Sequence, residues 1–416
     1  MKRFNAIRHK FGNGLRLITV PTNKVNDVFI QICIGAGSCQ EKMGSRGMAH
    51  LTEHLVIDDF LSGNLRNQNG FSSLRMSGGS THLDYTLFTL KISPEIAYRT
   101  IKNILTKFFS IKRPSQEELS RMKETINQER KGKIHRKARG RIYEELYKVA
   151  YRRHPYRWYI FGKKRDYLRL TPQEVFQFYH SFYVPNNTVV VVYGPVLATK
   201  LINSLNKQIN AIASSPLPKQ DISPEPPQIR PKYRTIISNR TAARELLLIG
   251  YKIPPLGHIH LTGLRVLNYV LFQKRSGFRK ILTKKKGQVK YAFGHLPLTK
   301  YEGLYEIFLS SPPGYSVEAA KDTFFDVIKR YTTGKISTKT LESAKRRALQ
   351  ELNQIKNKPK IFSEYLAIYE ILLNDYSAFF YYQDSIKNLT KNSFLLSLRT
   401  IVQKNHMTAI TIKPEQ

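Results

Sequence analysis

Apolar and polar positions follow two rhythms along the chain, and the order of those rhythms is laid out twice. Leu15–Val20 and Val28–Ile34 are apolar runs rich in β-branched residues, bounded by the turn Phe11-Gly12-Asn13-Gly14 and by Gly35-Ala36-Gly37-Ser38; both predict strands. Thr81–Ile92 (THLDYTLFTLKI) alternates with period two and predicts a further strand. Between them a helix is expected to open near Gly47. Glu95–Phe109, which follows Ser93-Pro94, has the period of an amphipathic helix. A long polar helix is predicted from about Ser115 to Tyr151, interrupted at Gly132 and Gly140. Thr171-Pro172-Gln173-Glu174 is an N-terminal box for a helix reaching Phe182, and Thr188–Tyr193 closes the first half as a strand.

Six prolines (216, 218, 224, 226, 227 and 231) then interrupt any periodicity. We read residues 211–235 as a proline-rich linker between an N-terminal lobe (1–210) and a C-terminal lobe (236–416). The second half repeats the order of the first: strand 245–252, helix 260–271, strands 289–296 and 305–311, helices 316–331, 338–357, 361–373 and 390–404, and a last strand 407–412. The expected fold is α+β: two homologous α/β-sandwich lobes from an internal duplication, each a mostly antiparallel sheet with helices packed on it.

Composition narrows the class. The 416 residues are 41% hydrophobic and 11% aromatic, values of a folded globular chain. No window approaches the roughly 20 apolar residues of a membrane span. The start, Met1-Lys2-Arg3-Phe4-Asn5-Ala6, lacks the apolar segment of a secretory signal. Two cysteines, Cys33 and Cys39, cannot build a disulfide framework or a four-sulfur zinc site. A soluble protein of the cytoplasm, in a reducing compartment, is the expectation. The unusual quantity is charge: 68 Lys+Arg against 30 Asp+Glu, net +38. It suits anionic partners such as nucleic acid, an anionic membrane surface or acidic peptides, and equally the solvated faces of a protein from a lysine-rich proteome. The densest run is Arg130–Arg141 (RKGKIHRKARGR).

Candidate chemistry concentrates in Gly47-Met48-Ala49-His50-Leu51-Thr52-Glu53-His54-Leu55. Positions i and i+4 share a helix face, so His50 and His54 can grip one metal ion while Glu53 stands beside it. This H-x-x-E-H order marks inverzincins. With 11 His and 30 acidic residues, the pattern arises by chance about 0.02 times in such a chain. A catalytic zinc needs a third protein ligand and an open position for water, and one helix cannot surround the ion.

The stretch resembles the pitrilysin/insulinase family of zinc peptidases, in particular its shorter, two-lobed members of the processing-peptidase type. Asn13-Gly14-Leu15, Gly37-Ser38 and Gly47-Met48-Ala49 are similar to the family's lead-in, and Thr81, Asp84 and Thr86 to its following strand. His154-Pro155-Tyr156, Gly162, Thr171-Pro172, Phe178-Tyr179 and Tyr183–Asn187 look like the end of its first half; Val266–Leu271 and Leu341–Lys345 look familial in the second. The resemblance implies a third ligand some seventy-odd residues on, in a helix; Glu129, 75 residues past His54 in Arg121–Glu129, matches it. It implies one Zn2+ held by His50, His54 and Glu129, with Glu53 as the proton-transferring group. The substrate it implies is an unstructured peptide, bound as an added strand.

Three departures accompany the resemblance. The substrate strand usually carries an Asn-Ala pair where Gly78 and Gly79 stand here. A further carboxylate two turns before the third ligand is replaced by Met122, with Glu124 off that face. In the second half, Thr283 sits where an arginine is expected, and Tyr291, the candidate substrate-binding tyrosine, is one residue late. Some short members pair a zinc-holding chain with a partner that lacks zinc and supplies those side chains. A homologous partner chain in a heterodimer, or a second copy in a homodimer, is therefore expected. A nucleic-acid or anionic-surface binding protein is the rival reading, resting on charge without any nucleic-acid motif; a non-catalytic scaffold subunit of the same fold is the third. His258-x-His260 lacks a nearby third ligand, His154 is expected to pack in a turn, and no phosphate-cradling glycine loop is present.

Overall fold

Strand pairing follows the apolar runs into two sheets with the same wiring. The computed structural model describes residues 5–415, except 62–74, 221, 239–243, 274, 275, 277, 279 and 282–288. The first sheet contains β1 (Ile7–Lys10), β2 (Arg16–Pro21), β3 (Val28–Ile34), β4 (Arg75–Thr81), β5 (Thr86–Ile92) and β6 (Thr188–Gly194), in spatial order β1-β2-β6-β3-β5-β4. Only β2 and β6 run parallel. The second contains β7 (Lys232–Ser238), β8 (Leu246–Ile253), β9 (Tyr291–His295), β10 (Gly303–Ser310) and β11 (Met407–Pro414), in order β7-β11-β8-β10-β9, with β7 and β11 parallel. Thus β2, β6, β3, β5 and β4 correspond one for one to β7, β11, β8, β10 and β9, which is the duplication expected from the sequence.

The helices are α1 (Met48–Leu61), α2 (Ala97–Phe108), α3 (Gln116–Arg130), α4 (Ala138–Ala150), α5 (Lys164–Tyr167), α6 (Pro172–Phe182), α7 (Ala198–Asn210) and α8 (His260–Phe272). They continue with α9 (Glu318–Thr332), α10 (Thr338–Lys356), α11 (Pro359–Leu373), α12 (Ala378–Lys387) and α13 (Lys391–Ile401). The box before α6 forms as read: Glu174 N–H donates to Thr171 Oγ1 and Thr171 N–H to Glu174 Oε2 at 2.8 Å.

Some elements differ from the sequence reading. Thr81–Ile92 is not one strand: His82–Tyr85 is a turn joining β4 to β5, closed by His82 N–H donating to the Tyr85 carbonyl at 2.9 Å, with the His82 and Tyr85 rings stacked 4.4 Å apart. The long polar helix breaks at Arg136-Lys137 after a π-helical turn, Lys131–His135. Gly140 lies inside α4; it is required by close approach, since a Cβ there would stand 1.8 Å from the Lys133 carbonyl oxygen.

One boundary between the compact units, 221/222, falls inside 211–235, but each unit also takes in a segment from the other half of the chain. One unit holds 1–127, 160–221 and 355–377; the other holds 128–159, 222–354 and 378–416. The reason is an exchange of covering helices. In the first unit α11, from late in the chain, lies on β3 and β6, and in the second α4, from early in the chain, lies on β8 and β11. Buried polar groups tie α11 down. Gln31 on β3 donates to Ser363 Oγ at 3.0 Å, and the fully buried Glu370 receives Arg8 Nη2 at 2.8 Å. Asn374, at φ 55°, ends α11 in the left-handed conformation that Asn tolerates better than most side chains, and its Oδ1 accepts from Arg8.

Candidate metal centre

Helix α1 delivers its polar residues by burying their neighbours. Leu51, Leu55 and Val56 enter the first unit's core with Leu119, Met122 and Ile126 of α3. His50 and His54 each precede one of those leucines, so both rings lie along the rim of that contact; their centroids are 4.9 Å apart. Glu129 is seven residues after Met122 and three after Ile126, on the same stripe of α3 and one turn further on. It lies two residues past the unit boundary, but on the continuous last turn of α3. His50, His54 and Glu129 each offer a ligand atom, and these lie within 4.8 Å of one another. Among the described residues no other group of three or more His, Cys, Asp or Glu converges in this way.

Two imidazoles and one carboxylate, with a fourth direction open, are the donor set of catalytic zinc centres. The residues therefore fit a zinc ion. Glu129 Oε2 also pairs with Lys133 Nζ at 2.8 Å across a half-exposed i,i+4 contact.

Glu53 projects from the same helix but is only 4% exposed. Thr81 Oγ1, at the end of β4, donates to its Oε2 at 2.6 Å. The β4 backbone comes close because Gly79 has no side chain: a Cβ there would stand 2.6 Å from Glu53 Oε1 and 2.8 Å from its Cγ. Burial, reinforced by the Glu53 charge, pushes the neighbouring Tyr183 phenol well above its ordinary range. The His50 ring also meets Phe161 edge-on at 5.6 Å. Asp58, one turn beyond His54, has its carboxyl raised by burial, an effect opposed by His54 and Arg121.

The remaining sequence candidates fall as follows. Met122 is buried in the core, and Glu124 Oε2 accepts from Asn127 at 3.3 Å. Gly78 adopts φ +119° at the irregular register of β4, a conformation open to glycine. Tyr291 opens the edge strand β9, is 56% exposed, and has the Arg244 guanidinium 5.9 Å from its ring. Thr283 lies outside the described residues. The His258 and His260 rings are 5.1 Å apart and belong to no three-ligand group. His154 sits in a short turn, its Nδ1 accepting from Tyr156 N–H. Cys33 and Cys39 are both buried. Sequence reading did not single out Glu41 or Phe161, and it knew Thr81 only as part of a resembling strand. Glu41 acts on backbone N–H groups, Phe161 through a ring contact and Thr81 through a hydroxyl on Glu53, none of which leaves a periodic signal.

Duplicated α+β lobes with, among the described residues, one three-residue donor group define a class of two-lobed scaffolds carrying a candidate metal centre. Residues 16–163 match the family described as insulinase (peptidase family M16), and residues 169–348 match the peptidase M16 inactive domain. The chain belongs to peptidase family M16. It is 24% identical over 416 residues to a zinc protease, PqqE, of Helicobacter pylori, covering 97% of this chain and 91% of that one. An uncharacterized zinc protease of Bacillus subtilis, YmxG, is 24% identical over 269 residues, covering 64% of this chain and 63% of that one. The fold is also that of the crystal structure of a protease from Helicobacter pylori: TM-score 0.88, 21% identity, 98% of this chain and 99% of that one. The structure of a putative M16-like peptidase from Alicyclobacillus acidocaldarius gives a TM-score of 0.84 at 18% identity, covering 100% of this chain and 99% of that one.

Proposed function

We propose that this chain is a zinc-dependent endopeptidase that hydrolyses unstructured peptides. The observation that supports it is the convergence of His50, His54 and Glu129 beside a buried, fixed Glu53. Bound there, zinc supplies Lewis acidity, which polarises a peptide carbonyl and eases proton loss from water. The chain's own residues do the rest. Glu53 takes the proton of the attacking water as the new C–O bond forms, and returns it to the leaving amine as the C–N bond breaks. We assign that exchange to Oε1, the oxygen that does not receive the Thr81 hydrogen bond. The edge strand β4 offers main-chain groups to an extended peptide, which suits substrates of little sequence demand. Gly78 and Gly79 contribute backbone there and no side-chain contact.

Within the same reading, this is the metal-holding chain of a two-chain clamshell, because Thr283 and the late Tyr291 leave peptide holding incomplete. Purified chain should carry one zinc, as should Glu53→Gln, while only the parent cleaves a quenched fluorescent peptide. A folded parent without zinc would overturn the peptidase reading, and full activity as a monomer would overturn the two-chain one.

A further inference from the structure

The turn leading into α1 is closed by one buried carboxylate. Glu41 is 5% exposed; its Oε2 accepts Gly47 N–H and its Oε1 accepts Ala49 N–H, each at 2.9 Å. These donors belong to the start of α1, where the first N–H groups lack an acceptor inside the helix. Arg46, 6% exposed, donates from Nη1 to the Glu41 carbonyl at 2.6 Å and places its charge beside the carboxylate. The segment 160–167 clamps the same turn from outside. At Gly162, φ +57°, a Cβ would stand 2.4 Å from the Arg46 carbonyl carbon and from Gly47 N, and Phe161 meets the His50 ring.

The residue before Met48 is Gly47, buried at φ +104° with Tyr167 Cβ 3.1 Å from where its own Cβ would stand, so a side-chain cap from that position would be strained and the acceptor comes from Glu41 instead. Burial here is costly: it pushes the Glu41 carboxyl up to about 7, against the opposing pull of the Gly47 and Ala49 bonds and of Arg46. A simple cap fixes one donor, whereas two oxygens on N–H groups two residues apart also fix the rotation of the first turn. His50 directly follows Ala49. With side-chain tips about 6 Å from the helix axis, a 20° rotation moves an imidazole by about 2 Å. Metal sites tolerate about 0.5 Å.

We propose that Glu41 is a positioning residue for the metal centre, setting the rotation of α1 and thereby the approach of His50 and His54 to Glu129. The inference rests on the zinc reading above. The test is zinc affinity of Glu41→Gln by chelator competition, the visible spectrum of the cobalt-loaded protein, and thermal unfolding of the metal-free form. We expect a folded variant whose zinc affinity falls at least tenfold and whose cobalt bands change. Glu370→Ala, destabilised on a different element of the same unit, should keep the parent's affinity and spectrum. Should Glu41→Gln fail to fold, Glu41→Asp, which keeps the charge but is one methylene short of spanning both donors, carries the same test. Unchanged affinity and spectrum in a folded Glu41 variant overturn the role of Glu41 alone. A parent that binds no zinc overturns the zinc reading itself.

Discussion

Thr81 Oγ1 donates to Glu53 Oε2 at 2.6 Å, and both residues are more than nine-tenths buried. A short bond to a charged acceptor in such a setting holds one rotamer of Glu53 and one of its two oxygens. Thr81→Val keeps the shape and removes the donor. We expect kcat to fall about 10- to 100-fold, with KM and zinc content near the parent's, and Thr81→Ser to recover most of the rate. Loss of the bond should also lower stability by about 1–3 kcal/mol, read from chemical denaturation. A full rate in Thr81→Val beside a loss in Thr81→Ser would mean that the methyl contact matters and the hydroxyl does not.

The three donors should be unequal in one respect. Removing His50 or His54 with Ala leaves two ligands on different helices, and bound zinc should be lost after dialysis. Glu129→Gln keeps an oxygen but no charge, and is expected to weaken zinc binding by at least two orders of magnitude while the apo protein unfolds near the parent temperature. Lys133→Ala removes only a half-exposed ion pair, a type worth about 0–1 kcal/mol. Its unfolding temperature should stay within a degree or two of the parent's, by differential scanning fluorimetry.

The Glu41 carboxyl gives a pH signature. Its native pKa is raised to about 7 from an ordinary 4.5, so between those values the folded state binds the proton more tightly than the unfolded one. Its stabilising contribution is complete below about 4.5 and is lost as pH rises through 7. Parent and Glu41→Gln should therefore differ in the pH slope of metal-free unfolding over that window, the parent falling more steeply as pH rises. Arg46 and Asp166, which face the same carboxylate, remain in both proteins. Parallel slopes would show that Glu41 titrates normally.

Charge should express itself in substrate choice. Lys133, Arg136 and Lys137 are exposed in the segment directly after Glu129, and the whole chain carries +38. Peptides flanked by Asp and Glu should be cleaved with higher kcat/KM than matched basic ones, and the advantage should shrink between 50 and 500 mM salt as screening shortens. Equal rates on both series would assign the charge to solvated surface.

Much of the architecture was legible because apolar periodicity and strand burial share one cause. Val28–Ile34 is strand β3 from its first residue to its last, and Thr171–Glu174 forms the box its residues implied. The candidate metal group was legible through helix spacing for His50 and His54, and through family resemblance for Glu129. Strand β4 was legible only through the resemblance, which puts a strand at Gly78-Gly79; RMSGGST itself carries almost no apolar alternation, and its place is set by pairing with β5 and by the approach of Gly79 to Glu53. Helix α7 went unread although Leu201, Leu205 and Ile209 form its buried stripe. The ownership of α4 and α11 is a long-range matter that local pattern does not encode.

That exchange has a consequence for how the chain reaches its folded state. The strands β3 and β6 are both made by Gly194, yet the helix that covers them begins at Pro359, roughly 165 residues later. At translation speeds of about 5–20 residues per second, the face waits about ten to thirty seconds for its cover. During that interval the nascent first half carries an apolar sheet face exposed to whatever surrounds the ribosome. A gene cut at the proline-rich segment would make this interval permanent.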